Sequence, residues 1–350
     1  MDSMKIISTN IISENNNKEI NINCPDINFS NDIIIDSYSD VYLGHTFIVF
    51  KSFNNIFLLI YTNKKRSILS YDIINKQKIN EIKNAHKKFI SSFRYFLDQM
   101  NNRDLLLSIS CDDNNIKIWN TNKYECLLDI KNVNKSGFLD SACILKDNNQ
   151  IFIITSNKTI SNRQKAESIK VFDFKGNNIK NINNSNEDII FIDTYSDNNL
   201  SKIFIIACTS DNCKSYDYYK NEIYHKYSDN SRSCNIVIND KEEIVKLIKS
   251  CYNGNISIWD FHSGVLLDTI KVCTTILREI CLYDNEYLFV GCDDKTIKLV
   301  KYKKWKVIKE LNGHYNKVIS IKKIIHPQYG KFLFSQGSGS GPIKLWIISN

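Results

Sequence analysis

An all-β fold built from seven repeated sheets is predicted by three observations. The first is a recurring unit: the end of one strand, a tight turn, then a second strand. Its clearest copy is residues 291–300, preceded by apolar and aromatic Tyr287, Leu288, Phe289 and Val290, as a buried strand requires. Asp293-Asp294-Lys295 supplies the turn, because Asp tolerates bent backbone and caps it with its own carboxylate. Ile297-Lys298-Leu299 then alternates like a half-buried strand. The second observation is that the unit returns at residues 110–119, 207–216 and 250–259. In all four copies a cysteine (Cys111, Cys208, Cys251, Cys292) stands eight residues before the large residue that closes the second strand. Weaker copies end at Tyr71, Phe172 and Trp346. The third is the spacing of the closing residues: Tyr71, Trp119, Phe172, Tyr216, Trp259, Val300 and Trp346 are 41 to 53 residues apart. A period of about 40–45 residues with four strands per unit indicates propeller blades. Seven of them make one closed domain of radial symmetry, not two separate cores.

In chain order, residues 1–31 are Asn-rich and poorly patterned, so an extended or partly disordered arm is expected, followed by a propeller over 32–350. Strands are expected at 47–50, 57–61, 68–71 and 78–82 for blade 1, and at 91–95, 105–110, 116–119 and 126–130 for blade 2. Blade 3 takes 141–145, 151–155, 169–172 and 178–182, with a long polar insertion over 156–168. Blade 4 takes 189–193, 203–207, 213–216 and 223–225; blade 5 takes 234–238, 245–249, 256–259 and 266–270. Blade 6 takes 279–283, 287–290, 297–300 and 307–311. Blade 7 has 318–321, 331–334 and 343–347 and no fourth strand. An open sheet edge invites unwanted pairing. The strand left over lies over 33–43, so it is expected to pair with 343–347 and lock the ring.

These units resemble the WD-repeat family. Trp259-Asp260 is a true Trp-Asp dipeptide, and Tyr71-Asp72, Phe172-Asp173 and Tyr216-Asp217 approximate it. Gly44-His45 and Gly313-His314 match the Gly-His that opens such a repeat, and the resemblance covers roughly 33–350. It implies a seven-bladed WD-repeat β-propeller closed by an N-terminal strand. It also implies a structural hydrogen-bond network of His, Ser or Thr, and Trp within a blade: His314, Ser338 and Trp346, with Trp259 as a further closing tryptophan. His86 and Trp119 repeat it with Cys111 in the hydroxyl place; a thiol bonds weakly, which predicts looser blades. Partners of such propellers engage the loops leading into each innermost strand and the turns after each second strand. Phe47, Phe89, Arg232, Tyr252, Arg278, Tyr315 and Lys317 are the candidates there, since aromatics and Arg dominate interface energetics.

The composition is that of an ordinary globular chain, 43% hydrophobic and 24% charged. With three prolines and 11 glycines, Asn and Asp take most turn positions. The net charge of +8 is spread diffusely, with no basic run and interleaved aromatics, which argues against a nucleic-acid partner. The 11 cysteines form no Cys-x-x-Cys. Repeat-equivalent positions in different blades should stand apart, so the cysteines read as small buried hydrophobes in a reducing compartment, with no disulfide and no metal. The start of the chain lacks a secretory apolar core, and the longest apolar run, 56–61, is too short to span a bilayer. A cytoplasmic location is expected, with the nucleus as the alternative.

No His pair, Glu/His cluster or two-carboxylate constellation has the spacing catalysis needs. The run Gly337-Ser338-Gly339-Ser340-Gly341 lacks the lysine and following helix of a phosphate cradle. The reading is therefore a non-catalytic protein-interaction scaffold without cofactor or small-molecule substrate. It would be a monomeric propeller showing its loops to other proteins in a multiprotein complex. The alternatives are a phosphoinositide- or acidic-membrane-binding propeller, a coat subunit completed in trans by a partner's strand, and a ubiquitin-ligase adaptor. The chain has no Arg-Arg-Gly, against the first. Trp259-Asp260-Phe261-His262 and Trp119-Asn120-Thr121-Asn122 lack the Arg of a Trp-Asp-x-Arg motif, against the last.

Overall fold

A computed structural model describes residues 21–23, 46–63, 66–134, 139, 141–156, 169–182, 187–239, 244–284, 286–301, 304, 306–339 and 343–349. Gly44-His45, the segment 33–43, the boundary expected at 31/32 and all of the 156–168 insertion but Ser156 lie outside them. Strand β1 (Asn21–Asn23) comes first. Blade 1 is β2 (Phe47–Lys51), β3 (Phe57–Thr62), β4 (Ile68–Asp72) and β5 (Gln77–Ile82); blade 2 is β6 (Ser92–Asp98), β7 (Arg103–Ser110), β8 (Asn115–Asn120) and β9 (Glu125–Ile130). Blade 3 is β10 (Ala142–Asp147), β11 (Gln150–Thr155), β12 (Ile169–Asp173) and β13 (Asn178–Ile182). Blade 4 is β14 (Ile189–Asp197), β15 (Lys202–Thr209), β16 (Cys213–Asp217) and β17 (Glu222–Tyr227). Blade 5 is β18 (Ser231–Asn239), β19 (Ile244–Cys251), β20 (Asn255–Asp260) and β21 (Leu266–Lys271). Blade 6 is β22 (Leu277–Leu282), β23 (Tyr287–Cys292), β24 (Ile297–Lys301) and β25 (Lys306–Leu311). Blade 7 is β26 (Val318–His326), β27 (Gly330–Gly337) and β28 (Ile343–Ser349), completed by β1. Six sheets are antiparallel meanders and the seventh adds β1 to the meander β26-β27-β28, so the fold is a seven-bladed β-propeller. Among the described residues no helix is long and apolar enough to cross a membrane.

The closing residues have a structural meaning beyond size. In the six blades whose third and fourth strands both come from the repeat, the ladder between them shifts register just before the closing residue: at Tyr71, Trp119, Phe172, Tyr216, Trp259 and Val300. Such a bulge bends the strand and increases its twist. Three residues earlier, the third strand opens with a buried residue facing an apolar partner on the outer strand, as in Ile116↔Ile130, Ile256↔Ile270 and Ile297↔Leu311. The rest of each outer strand is largely exposed, which explains its polar sequence.

Seven apolar clusters fill the seven boundaries between neighbouring blades. A four-stranded sheet has two faces to cover, and each blade covers its neighbours'. The cluster that joins the ends of the ring packs Phe47, Leu59 and Tyr71 of blade 1 on Phe332, Phe334 and Leu345 of blade 7. A backbone ladder adds to this closure: β1 pairs with β28 as Asn21↔Ser349, Ile22↔Ile348 and Asn23↔Ile347. The closing strand is thus N-terminal, as expected, and among the described residues it is 21–23; the segment 33–43 lies outside them. Asn21-Ile22-Asn23 carries one apolar residue between polar ones, the pattern of the other outer strands, whereas Ile33-Ile34-Ile35 is apolar throughout. A short polar edge also resists unwanted pairing.

Candidate partner-binding face

On one face of the ring, the loops entering the innermost strands rest on the turns that follow the second strands. Lys88 N donates to Asp113 Oδ2 (2.6 Å), Val133 N to Asn114 O (3.0 Å) and Asn134 N to Asn114 Oδ1 (3.2 Å). Val272 N donates to Gly254 O (3.0 Å), Asp293 N to Ile276 O (3.0 Å) and Ser338 N to Lys317 O (2.8 Å). Asn114 (φ 52°) and Gly254 (φ 81°) adopt the left-handed backbone these turns require. The face is therefore a set of interlocked loops on a rigid ring.

The predicted residues divide on this face. Tyr315 is 83% exposed, Phe89 36% and the Lys317 side chain 41%. Arg232 and Tyr252 are half-buried and joined, Nη1 to Oη at 3.1 Å. Two expectations are corrected. Phe47 is fully buried in the boundary between blades 7 and 1, because the innermost strand begins inside the apolar seam. Arg278 is also buried, and its guanidinium faces inward onto Asp293, with Nε to Oδ1 at 2.5 Å and Nη2 to Oδ2 at 2.8 Å. Lys317 Nζ of blade 7 reaches the same carboxylate at 3.2 Å. Burial would push the Asp293 carboxyl up; the Arg278 guanidinium and Lys317 ammonium outweigh it and hold it below the ordinary range. One anion between two cations leaves this corner net positive beside exposed Tyr315.

Sequence reasoning missed Asp293 as a site residue because it was accounted for as a turn former. It also missed Glu279, which accepts from Ser320 Oγ (2.8 Å), Ile321 N (2.7 Å) and the Lys322 ammonium and so ties blade 6 to blade 7. Arg278 and Glu279 lie next to each other on one strand; each binds an opposite charge from another element, a signal that adjacency alone does not give.

The structural network exists with a different hydroxyl. Ser335 Oγ lies 2.7 Å from His314 Nε2 and accepts from Trp346 Nε1 at 2.7 Å. In blade 2, Ser108 Oγ lies 2.7 Å from His86 Nε2 and accepts from Trp119 Nε1 at 2.8 Å. Ser338 and Cys111 are not the shared groups: both follow the second strand, past the end of the ladder. Ser108 pairs with Lys117 and Ser335 with Lys344, two residues before each tryptophan, and side chains two apart on a strand share a face. The looseness expected of a thiol therefore has no basis in blade 2. Blade 5 has a shorter version, in which Trp259 Nε1 donates to Ser257 Oγ at 3.1 Å. Ser108 and His86 are buried at 0% and 3%, and each serine also holds a tryptophan N–H.

The cysteines hold another correction. The turns between second and third strands differ between blades, so an eight-residue spacing does not give one ladder position: Cys111 lies in its turn, while Cys208 is in its strand opposite Cys213. Cys208, Cys213 and Cys234, from blades 4 and 5, come together, as do Cys273 and Cys292 beside Asp294.

No family model matches the sequence. Over 102 residues the chain is 30% identical to the U3 small nucleolar RNA-associated protein 21 homolog of Schizosaccharomyces pombe, covering 29% of this chain and 11% of that protein. Over 100 residues it is 28% identical to the probable coatomer subunit beta' of the same organism, covering 28% of this chain and 12% of that protein. The matched stretch thus spans about a tenth of the length of these curated relatives. The seven four-stranded blades make the chain a seven-bladed β-propeller, and the His–Ser–Trp bonding in two of them matches the WD-repeat pattern that its sequence resembles.

Proposed function

We propose that the chain is a non-catalytic protein-interaction scaffold that binds partner proteins through the face of interlocked loops. The observation that carries the reading is Tyr315, an 83% exposed aromatic standing beside a positive corner fixed by Arg278, Asp293 and Lys317. An exposed aromatic next to a pre-organised charge is the composition of an interface hot spot. Phe89, Arg232 and Tyr252 extend the same face. One relative is named as a coatomer subunit and the other as associated with U3 small nucleolar RNA; both names fit a component of a larger assembly. A cytoplasmic or nuclear location accords with this reading.

The test is affinity purification of the tagged full chain from cells with quantitative mass spectrometry. A double variant, Tyr315→Ala with Lys317→Glu, is compared with Tyr329→Ala in the hairpin between β26 and β27. Wild type and Tyr329→Ala should recover the same proteins. The double variant should recover them at least about 30-fold more weakly, as loss of about 2 kcal/mol requires. Recovery of no stable partner by the wild type, or equal recovery by all three, contradicts the proposal. Flotation with phosphoinositide vesicles tests the lipid alternative, which the engagement of Lys317 and Arg278 by Asp293 disfavours.

A further inference from the structure

Three cysteines meet inside the boundary between blades 4 and 5. Cys208 and Cys213 are directly opposed across the hairpin, with their Sγ atoms 3.4 Å apart. Cys234 reaches them from the innermost strand of blade 5, and the three Sγ atoms lie within 4.8 Å of one another. All three residues are buried, at 0%, 0% and 4% exposure.

Packing alone does not call for sulfur here. Three residues before the closing residue, the other blades carry Ile68, Ile116, Ile169, Ile256, Ile297 and Ile343; blade 4 alone carries Cys213. Two polar groups at this boundary also want a counterpart. Ser231 is fully buried and its Oγ has no hydrogen-bond partner. Lys249 is fully buried too; its Nζ donates to the Tyr227 and Asp229 carbonyls at 3.4 and 3.0 Å and lies 5.1 Å from the Trp259 ring centre. Among the described residues no carboxylate pairs with it. A buried ammonium without an anion costs several kcal/mol. Cys234 is the ladder partner of Lys249, and a thiolate there would supply the anion.

We propose that Cys208, Cys213 and Cys234 form a buried site for a thiophilic d10 metal ion, Zn2+ or Cu+, bound by three thiolates. Sulfur–metal bonds of about 2.3 Å place the sulfurs about 3.8 Å apart in a tetrahedral site and about 4.0 Å apart in a trigonal one. The observed separations, 3.4 Å for Cys208–Cys213 and no more than 4.8 Å for any pair, bracket both. On binding, three S–H protons leave to solvent, three S–metal bonds form and no electron is transferred. Soft thiolates select these two ions. With Zn2+, the three thiolates, the ion and Lys249 sum to zero charge, and Ser231 Oγ is placed to complete four-coordination. With Cu+, three sulfurs suffice. The site is closed to solvent, so the ion enters as the blades fold.

The full chain is expressed in zinc-supplemented or copper-supplemented medium, purified without oxygen and assayed for bound metal. One arm should retain about one ion per chain, as a closed thiolate site does. Cys213→Ile restores the residue the other six blades use, so it should fold, and it should lose the ion. Cys292→Ala, which removes only the Cys273–Cys292 pair, should keep it. X-ray absorption on the loaded wild type should find about three sulfur ligands. The proposal is overturned by metal-free wild type in both arms or by metal retained in Cys213→Ile. It is also overturned by two or fewer sulfur ligands, or by a Cys208–Cys213 disulfide in the native protein.

Discussion

The Arg278 guanidinium and the Asp293 carboxylate are joined by two parallel hydrogen bonds, at 2.5 and 2.8 Å, with the arginine 5% exposed. Arg278 comes from the innermost strand of blade 6, Asp293 from the turn of the same blade, and Lys317 from the loop into blade 7. The Arg278 carbonyl also accepts from Ser233 Oγ (2.9 Å) and Ser250 Oγ (2.6 Å) of blade 5. Arg278 therefore ties blade 6 to blade 5, and its partner Asp293 ties blade 6 to blade 7.

Removing the acid should hurt more than removing the exposed cation. Asp293→Ala strands a buried guanidinium and is expected to cost about 3–5 kcal/mol. Lys317→Ala leaves the bidentate pair intact and should cost about 1 kcal/mol or less, because its side chain is 41% exposed and screened. Urea unfolding of the two variants checks the order; equal losses would show that the pair is not the support of this corner.

The serine assignment is equally open to test. Ser335→Ala and Ser108→Ala each orphan a buried His nitrogen and a buried Trp N–H, at about 1–3 kcal/mol per group left unsatisfied. Ser338 takes part through its backbone, as Ser338 N to Lys317 O and Asn316 Nδ2 to Ser338 O. Ser338→Ala should therefore stay within about 0.5 kcal/mol of wild type. Urea midpoints of the three variants separate these outcomes.

The same network predicts a pH dependence. Burial, with Lys117 near one ring and Lys344 near the other, holds His86 and His314 down at about 4. In the unfolded chain they titrate near the ordinary value of about 6.5. The unfolded state then binds protons that the folded state refuses between these values. Stability should be full above about pH 6.5 and fall as pH drops toward about 4, by about 3 kcal/mol per histidine. Unfolding free energies across that window measure it, and His314→Gln should flatten the slope.

Much of this fold was legible because its repeats are enforced by backbone geometry. The closing residues could be found without structure since a bulge sits beside each of six of them, and a bulge needs a large residue to pack where the strand bends. The outer strands were legible from their polarity. What failed were side-chain directions. Phe47 and Phe89 look alike as loop aromatics, but one begins a strand inside a seam. Ser338 and Ser335 differ by three positions, and only the ladder says which shares a face with Trp346. The strand at 21–23 was passed over because Ile33-Ile34-Ile35 has the stronger strand propensity, while β1 is held by its pairing with β28. The meeting of Cys208, Cys213 and Cys234 depends on turn length in blade 4, which spacing to the closing residue conceals.

Gly291 fixes the approach of blades 6 and 7. A Cβ there would lie 2.5 Å from the Val318 carbonyl oxygen, a backbone atom of the next blade. Gly291→Ala should therefore shift the β26 backbone and cost about 1–3 kcal/mol, as overpacking does. Gly330, whose Cβ would meet nothing within 4 Å, lies at φ 81°, so Gly330→Ala registers backbone strain alone. A Gly291→Ala loss of Tm no larger than that of Gly330→Ala would contradict the close approach.

The account turns on a ring whose last sheet is finished by the N-terminal strand of the same chain. Hydrogen exchange, followed by mass spectrometry over residues 343–349 in the full chain and in a chain lacking residues 1–24, tests this most directly. The account predicts a slowly exchanging β28 in the full chain, and in the truncated one faster exchange there together with a lower Tm. Identical exchange and Tm in the two chains would contradict it.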